Sequence, residues 1–569
     1  MSLGDVSLAC ATALVDTLAR GGVRHASLSP GSRSTPLALA LSRHPDIEVH
    51  VHLDERSSAF FALGLAKALR RPVVVTCTSG TAAAELFPAV VEASQSRMPL
   101  ILLTADRPPR LRGTGANQTI DQSRLYGPYT RSYIEAPVPA SADDVAEWGV
   151  AGMQALNACG GVAPGPVQID CPFEEPLMPE GDEIGPGGPA GWVMSEPEEA
   201  NPAPSADEVA QVAEAIQGKR GLVVSGGSPW FPPGLTVHLA ERLGWPVMAE
   251  PPSDARRPGQ SLAAGQALAA SPWMEEHGPE LILQVGAAPT TRATQRLVGT
   301  ALELVVVDAH HLDPDPYGHA TLRLRSDPER LVAALDPMPL VPAPVAWLDD
   351  WRLADTTARR AMDEVLDRSE AVTELQTARD LPGAVPDGST LFVGNSMPIR
   401  DVDYAMAPRE GLRIIANRGA SGIDGLVSTA LGIGASDTGP AFALMGDLSL
   451  LYDAGALLWN GRRFPAGLTI VVPNNGGGQI FATLDQQQLS EEEQRLFTTP
   501  HDLDIGALCA TAGVGHALVS DVWAFEGALR HAESRGDLQV IELATDPARS
   551  IAQRHEVQSA VDDALRALG

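Results

Sequence analysis

Lysine is nearly absent from this 569-residue chain: it occurs only at Lys67 and Lys219, so almost all of the positive charge is arginine. The net charge of −30 leaves no basic footprint, which excludes nucleic acid as a partner. The five cysteines (Cys10, Cys77, Cys159, Cys171, Cys509) are scattered and form no CxxC pair, which argues against a disulfide framework or a zinc site and for buried thiols. No apolar run is long enough to span a bilayer. The opening Met-Ser-Leu-Gly-Asp lacks the basic and apolar regions of a signal peptide, so a soluble cytoplasmic protein is expected. The acidic excess suits either ordinary solubility or adaptation to salt.

What is present is a repeated alternation of apolar strands and Ala/Leu-rich helices, the pattern of parallel sheets covered on both faces. The length is too great for one core. The expected fold class is α/β, with three doubly wound parallel-sheet domains. The first runs over residues 1–176, with strands such as Val73–Cys77 and Leu100–Thr104. A linker at 177–206, rich in Pro, Gly and acidic residues, separates it from a central α/β domain at 207–344. A helical connector at 345–381 leads to a third domain at 382–569.

Two loops of the third domain carry the chemistry. Gly446-Asp447-Leu448-Ser449 follows the strand Ala441–Leu444 and precedes a helical run from Tyr452. A strand–turn–helix junction offers free backbone N–H groups to a phosphate, and Asp447 adds a hard oxygen ligand for a divalent cation. Asn475 lies 28 positions further on, in Val-Pro-Asn-Asn-Gly-Gly-Gly after the strand Leu468–Val472. Asn475 can give a side-chain oxygen and Gly477 a backbone carbonyl, while the glycines let the main chain approach a ligand closely. Either loop alone reads as an ordinary turn. Together they suit a metal-held diphosphate, and without a phosphate-cradling lysine they point away from ATP.

The Gly-Asp to Asn-Asn pair resembles the cofactor signature of the thiamine-diphosphate-dependent enzymes, with Leu448 in place of the usual third glycine. In the first domain Thr78-Ser79-Gly80-Thr81 and Gly165 to Pro172 are similar to that superfamily as well. More specific blocks span nearly the whole chain: Ser29 to Leu37, Leu103 to Pro109, Gly115 to Ile120, Gly394 to Arg400, Asn417 to Gly425 and Gly477 to Phe481. These resemble the branch of the superfamily that serves menaquinone biosynthesis. The resemblance implies thiamine diphosphate with Mg²⁺ or Mn²⁺ held by Asp447, Asn475 and Gly477. It implies decarboxylation of 2-oxoglutarate and carboligation to isochorismate.

Roles follow residue by residue. Glu55, at the start of an apolar-periodic helix, matches the catalytic glutamate that hydrogen-bonds the aminopyrimidine ring; such a carboxyl is expected to be buried with a raised pKa. Thr78, Ser396, Gly446, Leu448, Ser449 and Gln479 match cofactor-binding positions. Ile423 matches the apolar prop under the cofactor, and Ile480 and Phe481 its apolar wall. Both substrates are dicarboxylates, which the planar fork of arginine binds well. Arg33, Arg107, Arg400 and Arg418 stand in stretches with Gly, Ser or Pro that read as loops. With Ser32, Asn117 and Gln118 they match substrate-binding positions, and Arg292 is a candidate from the central domain. Taken singly, each arginine reads as a surface ion pair of little energy. His52 reads as structural. The family pattern sets Glu55 of one subunit against the third domain of another, implying a homodimer or a dimer of dimers. An acetolactate-synthase-like lyase, or a non-catalytic binding protein on this fold, stays open on the residues alone.

Overall fold

The computed structural model describes residues 2–161, 163–181, 202–227, 234–259, 261–309, 314–460 and 467–568. Most of the expected linker, 182–201, lies outside the described residues. Among the described residues no helix is long and apolar enough to cross a membrane.

Three all-parallel sheets alternate with helices, as expected. The first contains β1 (His25–Leu28), β2 (Glu48–Val51), β3 (Val73–Cys77), β4 (Leu100–Asp106), β5 (Ser132–Glu135) and β6 (Val167–Pro172), in the order β2-β1-β3-β4-β6-β5. The second contains β7 (Gly221–Ser225), β8 (Val247–Ala249), β9 (Leu281–Val285), β10 (Glu303–Val307) and β11 (Leu322–Leu324), in the order β11-β10-β9-β7-β8. The third contains β12 (Ser389–Val393), β13 (Leu412–Ala416), β14 (Ala441–Leu444), β15 (Leu468–Asn474), β16 (Gly515–Val519) and β17 (Gln539–Ala544). Its order, β13-β12-β14-β15-β17-β16, repeats that of the first sheet strand for strand. The central strands β3, β4, β12 and β14 are buried at every position, because helices cover both faces.

This topology fixes where a ligand can sit. In an open α/β sheet the crevice lies beyond the C-terminal strand ends, where the strand order reverses. In the third sheet that point lies between β12 and β14, so the loops after them, at Gly394–Ser396 and Met445–Asp447, face one another. In the first sheet it lies between β1 and β3, followed by the loops of Ser29–Arg33 and Thr78–Gly80.

The stretch expected as a connector holds a 22-residue helix, Val345–Leu366, and most of a second, Glu374–Ala384. The first is more than a bridge. Trp347 and Trp351 enter the core of the central sheet, and Val557, Val561 and Leu565 of the C-terminal helix Pro547–Arg566 join them there. Trp351 is wholly buried and meets Trp273 edge-on at 5.3 Å.

The first and third sheets are joined by crossed helices, Glu55–Leu69 and Leu426–Gly434. The contact is so close that a Cβ on Gly64 would stand 2.1 Å from the Thr429 carbonyl oxygen, and one on Gly432 2.0 Å from that of Phe61. Only hydrogen fits at either position. Gly64→Ala is expected to lower stability by about 1–3 kcal/mol through overpacking, read as a drop in the denaturant midpoint.

Candidate active site

The loops after β12, β14 and β15 enclose a cavity of about 190 Å³. Its walls bring together Ser396, Ile423, Gly446, Asp447, Leu448, Ser449, Asn475, Gly477, Gln479, Ile480 and Phe481, every third-domain residue expected to touch cofactor or metal. A short helix, Asp447–Tyr452, starts directly after Gly446, and the helical run expected from Tyr452 follows it as Ala454–Asn460; Asp447 Oδ1 accepts from the Leu448 N–H at 2.6 Å. Its Oδ2 accepts from the Gly477 N–H at 2.9 Å, which ties the two loops together. His501 Nε2 stands 3.3 Å from the same oxygen. Burial raises the pKa of Asp447, against the opposing pull of those two N–H groups and His501.

Asn475 is fixed by a residue that the sequence did not single out. Its Nδ2 donates to Glu374 Oε1 at 2.8 Å, and the Glu374 carboxylate is held in turn by the Ser550 hydroxyl. The amide is thereby oriented, and Asn475 Oδ1 is left buried with no hydrogen-bond partner. An orphaned amide oxygen beside a buried carboxylate is the donor set that a hard divalent cation takes. The Gly477 carbonyl already accepts from the Gln479 N–H at 3.0 Å, keeping one lone pair free. A Cβ on Gly446 would meet no protein atom within 4 Å and would project into open space, which suits a position that a ligand must approach. Leu448 and Phe481 stand together over Gly478, each within 3.5 Å of where a Cβ would be.

The arginines form two groups. Arg400 is the centre of the first: burial lowers its pKa, and Arg418 and Arg292 lower it further. Arg400 is not in a loop as expected but inside the helix Met397–Ala405, which Pro398 helps to start; its Nη1 donates to the Ser396 carbonyl at 2.5 Å. Arg292 is likewise the first residue of a helix, Arg292–Gly299. Arg418 donates to Asn395 Oδ1 at 3.0 Å.

The second group belongs to the first sheet. Arg107 donates to the Gln118 carbonyl at 2.9 Å and to the Ser79 hydroxyl, and Gln118 Nε2 returns a bond to the Ser79 carbonyl at 3.0 Å. Arg33 pairs with Glu175 at 3.0 Å and donates to the Phe173 carbonyl, while its buried Nε has no partner. Thr78 is buried against Gly31, next to the exposed Ser32, and Asn117 is exposed too. Glu55 is half-buried as the first residue of its helix, capped by Asp54. Burial raises its pKa, and Asp54 and Glu85 add to the rise. Glu55 does not line the cavity that holds Asp447. His52 packs its ring on Phe61 at 4.5 Å, and burial pushes its imidazole down to about 3, a neutral core histidine.

A second residue missed from the sequence is Glu92. Its carboxylate, 3% exposed, accepts from Lys67 Nζ at 3.1 Å and from the N–H groups of Gly419, Ala420 and Ser421 at 3.0, 2.7 and 3.3 Å. This pins the loop that carries Arg418 and Ile423. Nothing local in the sequence signals either Glu92 or Glu374, because the loop groups they hold lie 327 to 329 and 101 residues away.

The comparisons with known proteins agree with this geometry. Residues 8–125 match the family model described as the thiamine pyrophosphate enzyme N-terminal TPP binding domain. A 2-succinyl-5-enolpyruvyl-6-hydroxy-3-cyclohexene-1-carboxylate synthase of Thermobifida fusca is 43% identical over 98% of this chain and 100% of its own. Synthases of the same name from Saccharopolyspora erythraea (39%, covering 98% and 99%) and Haloarcula marismortui (37%, covering 99% and 100%) are similar over equal spans. The chain belongs to the 2-succinyl-5-enolpyruvyl-6-hydroxy-3-cyclohexene-1-carboxylate synthase family. It is a thiamine-diphosphate-dependent enzyme, and the cavity at the switch point of its third sheet gathers Asp447, Asn475 and Gly477.

Two measurements probe the synthase site's supports. Glu374→Ala frees the Asn475 amide, and the loss of such a supporting contact is expected to weaken Mg²⁺-dependent cofactor binding by about 10- to 100-fold in a fluorescence titration. Behind Arg107, Arg112 bridges Asp106 and Asp170 at 2.9 Å each, and burial, with help from Asp106, pushes Asp170 up to about 7. The folded chain therefore holds a proton that the unfolded chain, near 3.8, releases. Stability is expected to fall as pH rises between those values, by at most about 1.4 kcal/mol per pH unit from this group. Asp170→Asn should flatten that slope in urea melts.

Proposed function

We propose that this synthase decarboxylates 2-oxoglutarate and adds the remaining succinyl unit to isochorismate, releasing CO₂, as a step of menaquinone biosynthesis in the cytoplasm. The observation that carries the reading is the buried, partnerless Asn475 Oδ1 in the cavity that Asp447 also lines. Burial, Arg418 and Arg292 all lower the pKa of Arg400, a cation that polyanionic ligands would stabilise, and dicarboxylates supply that charge.

In this reading Asp447, Asn475 and Gly477 hold Mg²⁺ or Mn²⁺. Gly446, Ser449, Ser396 and Gln479 surround the diphosphate. Ile423, Leu448 and Ile480 bear on the rings, and Thr78 joins them from the first sheet. When bound, thiamine diphosphate supplies the electron sink on which a 2-oxo acid loses CO₂. Glu55 holds the aminopyrimidine, and its burial-raised pKa suits a carboxyl that exchanges a proton there. Arg292, Arg400, Arg418 and Phe481 receive one substrate from the third-sheet side. Ser32, Arg33, Arg107, Asn117 and Gln118 meet the other from the first-sheet side. Among the described residues none from the first sheet's domain lines the cavity of Asp447, which supports a homodimer, or a dimer of dimers, in which the first sheet of one subunit completes the cavity of the next.

The test is CO₂ release from 2-oxoglutarate with thiamine diphosphate and Mg²⁺, with and without isochorismate. Release should depend on both cofactors and rise with isochorismate. Faster turnover of pyruvate would instead favour an acetolactate-synthase-like enzyme. Glu55→Gln is expected to cut turnover by at least about 10²-fold with little change in cofactor affinity; turnover kept within about tenfold would remove Glu55 from its role.

A further inference from the structure

The N-terminal half of the first sheet's edge holds a cluster that the synthase site does not use. β1 and β2 pair in parallel with His25 opposite Glu48. His50 lies two residues along β2 from Glu48, and side chains alternate along a strand, so all three stand on one face. His25 Nδ1 lies 3.2 Å from His50 Nε2 and 3.7 Å from Glu48 Oε2, and Glu48 Oε1 lies 3.9 Å from His50 Nε2. The rings are inclined by only 24°, and Phe61 of the helix Glu55–Leu69 backs His50 at 5.0 Å.

These distances have a coordination meaning. A tetrahedral ion with bonds of about 2.0–2.2 Å sets its donors about 3.3–3.6 Å apart. The imidazole pair sits just inside that edge length and the carboxylate just outside it. The adjustment needed falls on Glu48, whose side chain is 66% exposed and free to rotate, whereas the two histidines are 15% exposed and held by the sheet and Phe61. Two imidazoles and one carboxylate are a ligand set for zinc and its borderline neighbours, not for the all-oxygen cations Mg²⁺ or Ca²⁺. Three protein donors leave a fourth position open on the exposed Glu48 side, where water can complete the sphere.

We propose that His25, Glu48 and His50 form a binding site for one divalent cation of the zinc class, distinct from the diphosphate-bound metal. Its effect would be mechanical: the ion cross-links β1 to the edge strand β2, whose chain runs within four residues into the helix that begins at Glu55. Without the ion the 3.2 Å contact is an imidazole–imidazole hydrogen bond.

The test uses the full-length, untagged protein, stripped by chelator and kept in excess Mg²⁺ without thiamine diphosphate. Co²⁺ is titrated in, and the strong visible absorption of four-coordinate cobalt is read. One equivalent per chain should develop the band, Zn²⁺ should abolish it, and Asp447→Asn should leave it intact. His50→Gln and His25→Gln should lose the band. Glu48→Gln, at an exposed position that folding does not depend on, should weaken Co²⁺ binding at least tenfold. Absence of the band in the parent protein, or its persistence in all three variants, overturns the proposal and leaves the hydrogen bond as the whole of the contact.

Discussion

A carboxylate taken out of water must find donors, and three carboxylates that do so hold the functional loops in place. Asp447 draws the β14 and β15 loops together through the N–H groups of Leu448 and Gly477. Glu374 turns the Asn475 amide. Glu92 gathers three successive backbone N–H groups and the ammonium of Lys67, joining the first sheet to the loop of Arg418. The lysine also donates to the Ala416 carbonyl, 349 residues away in sequence. Each carboxylate leaves the side chains it supports with little freedom, so the donor oxygens and cations are arranged before any ligand arrives.

The sheets explain why those loops meet. Strand order reverses at the same place in the first and third sheets, so each presents a crevice of the same kind. The third-sheet crevice gathers acid, amide and glycine, whereas the first-sheet crevice gathers Arg33, Arg107, Thr78 and Gln118. A shared architecture thus carries two different sets of side chains, which the proposed function assigns to a metal-held diphosphate and to carboxylates. The glycine-lined helix crossing at Gly64 and Gly432 sets how closely the two sheets approach within one chain.

Much of this was legible in the sequence, for local reasons. Continuous apolar runs such as Val73–Cys77 can only be strands buried on both faces, and Gly446-Asp447 and Asn475 keep their meaning because each follows such a strand directly. The helical position of Arg400 was not legible, since Gly, Ser and Pro before it read as a loop although Pro398 sits in the first turn of a helix. Glu92 and Glu374 were hidden because an acidic residue on a helix looks solvated until its distant partner is known. The placement of Val345–Leu366 and the C-terminal helix on the central sheet is a tertiary choice that periodicity cannot express.

The central claim is that Asp447 and Asn475 together hold a divalent ion at this cavity. It is tested most directly by the anomalous signal of Mn²⁺ in crystals grown with thiamine diphosphate. The account predicts one peak per chain, bonded at about 2.0–2.3 Å to an Asp447 carboxylate oxygen and to Asn475 Oδ1. A peak bonded elsewhere, with Asn475 Oδ1 still unpartnered, would contradict it.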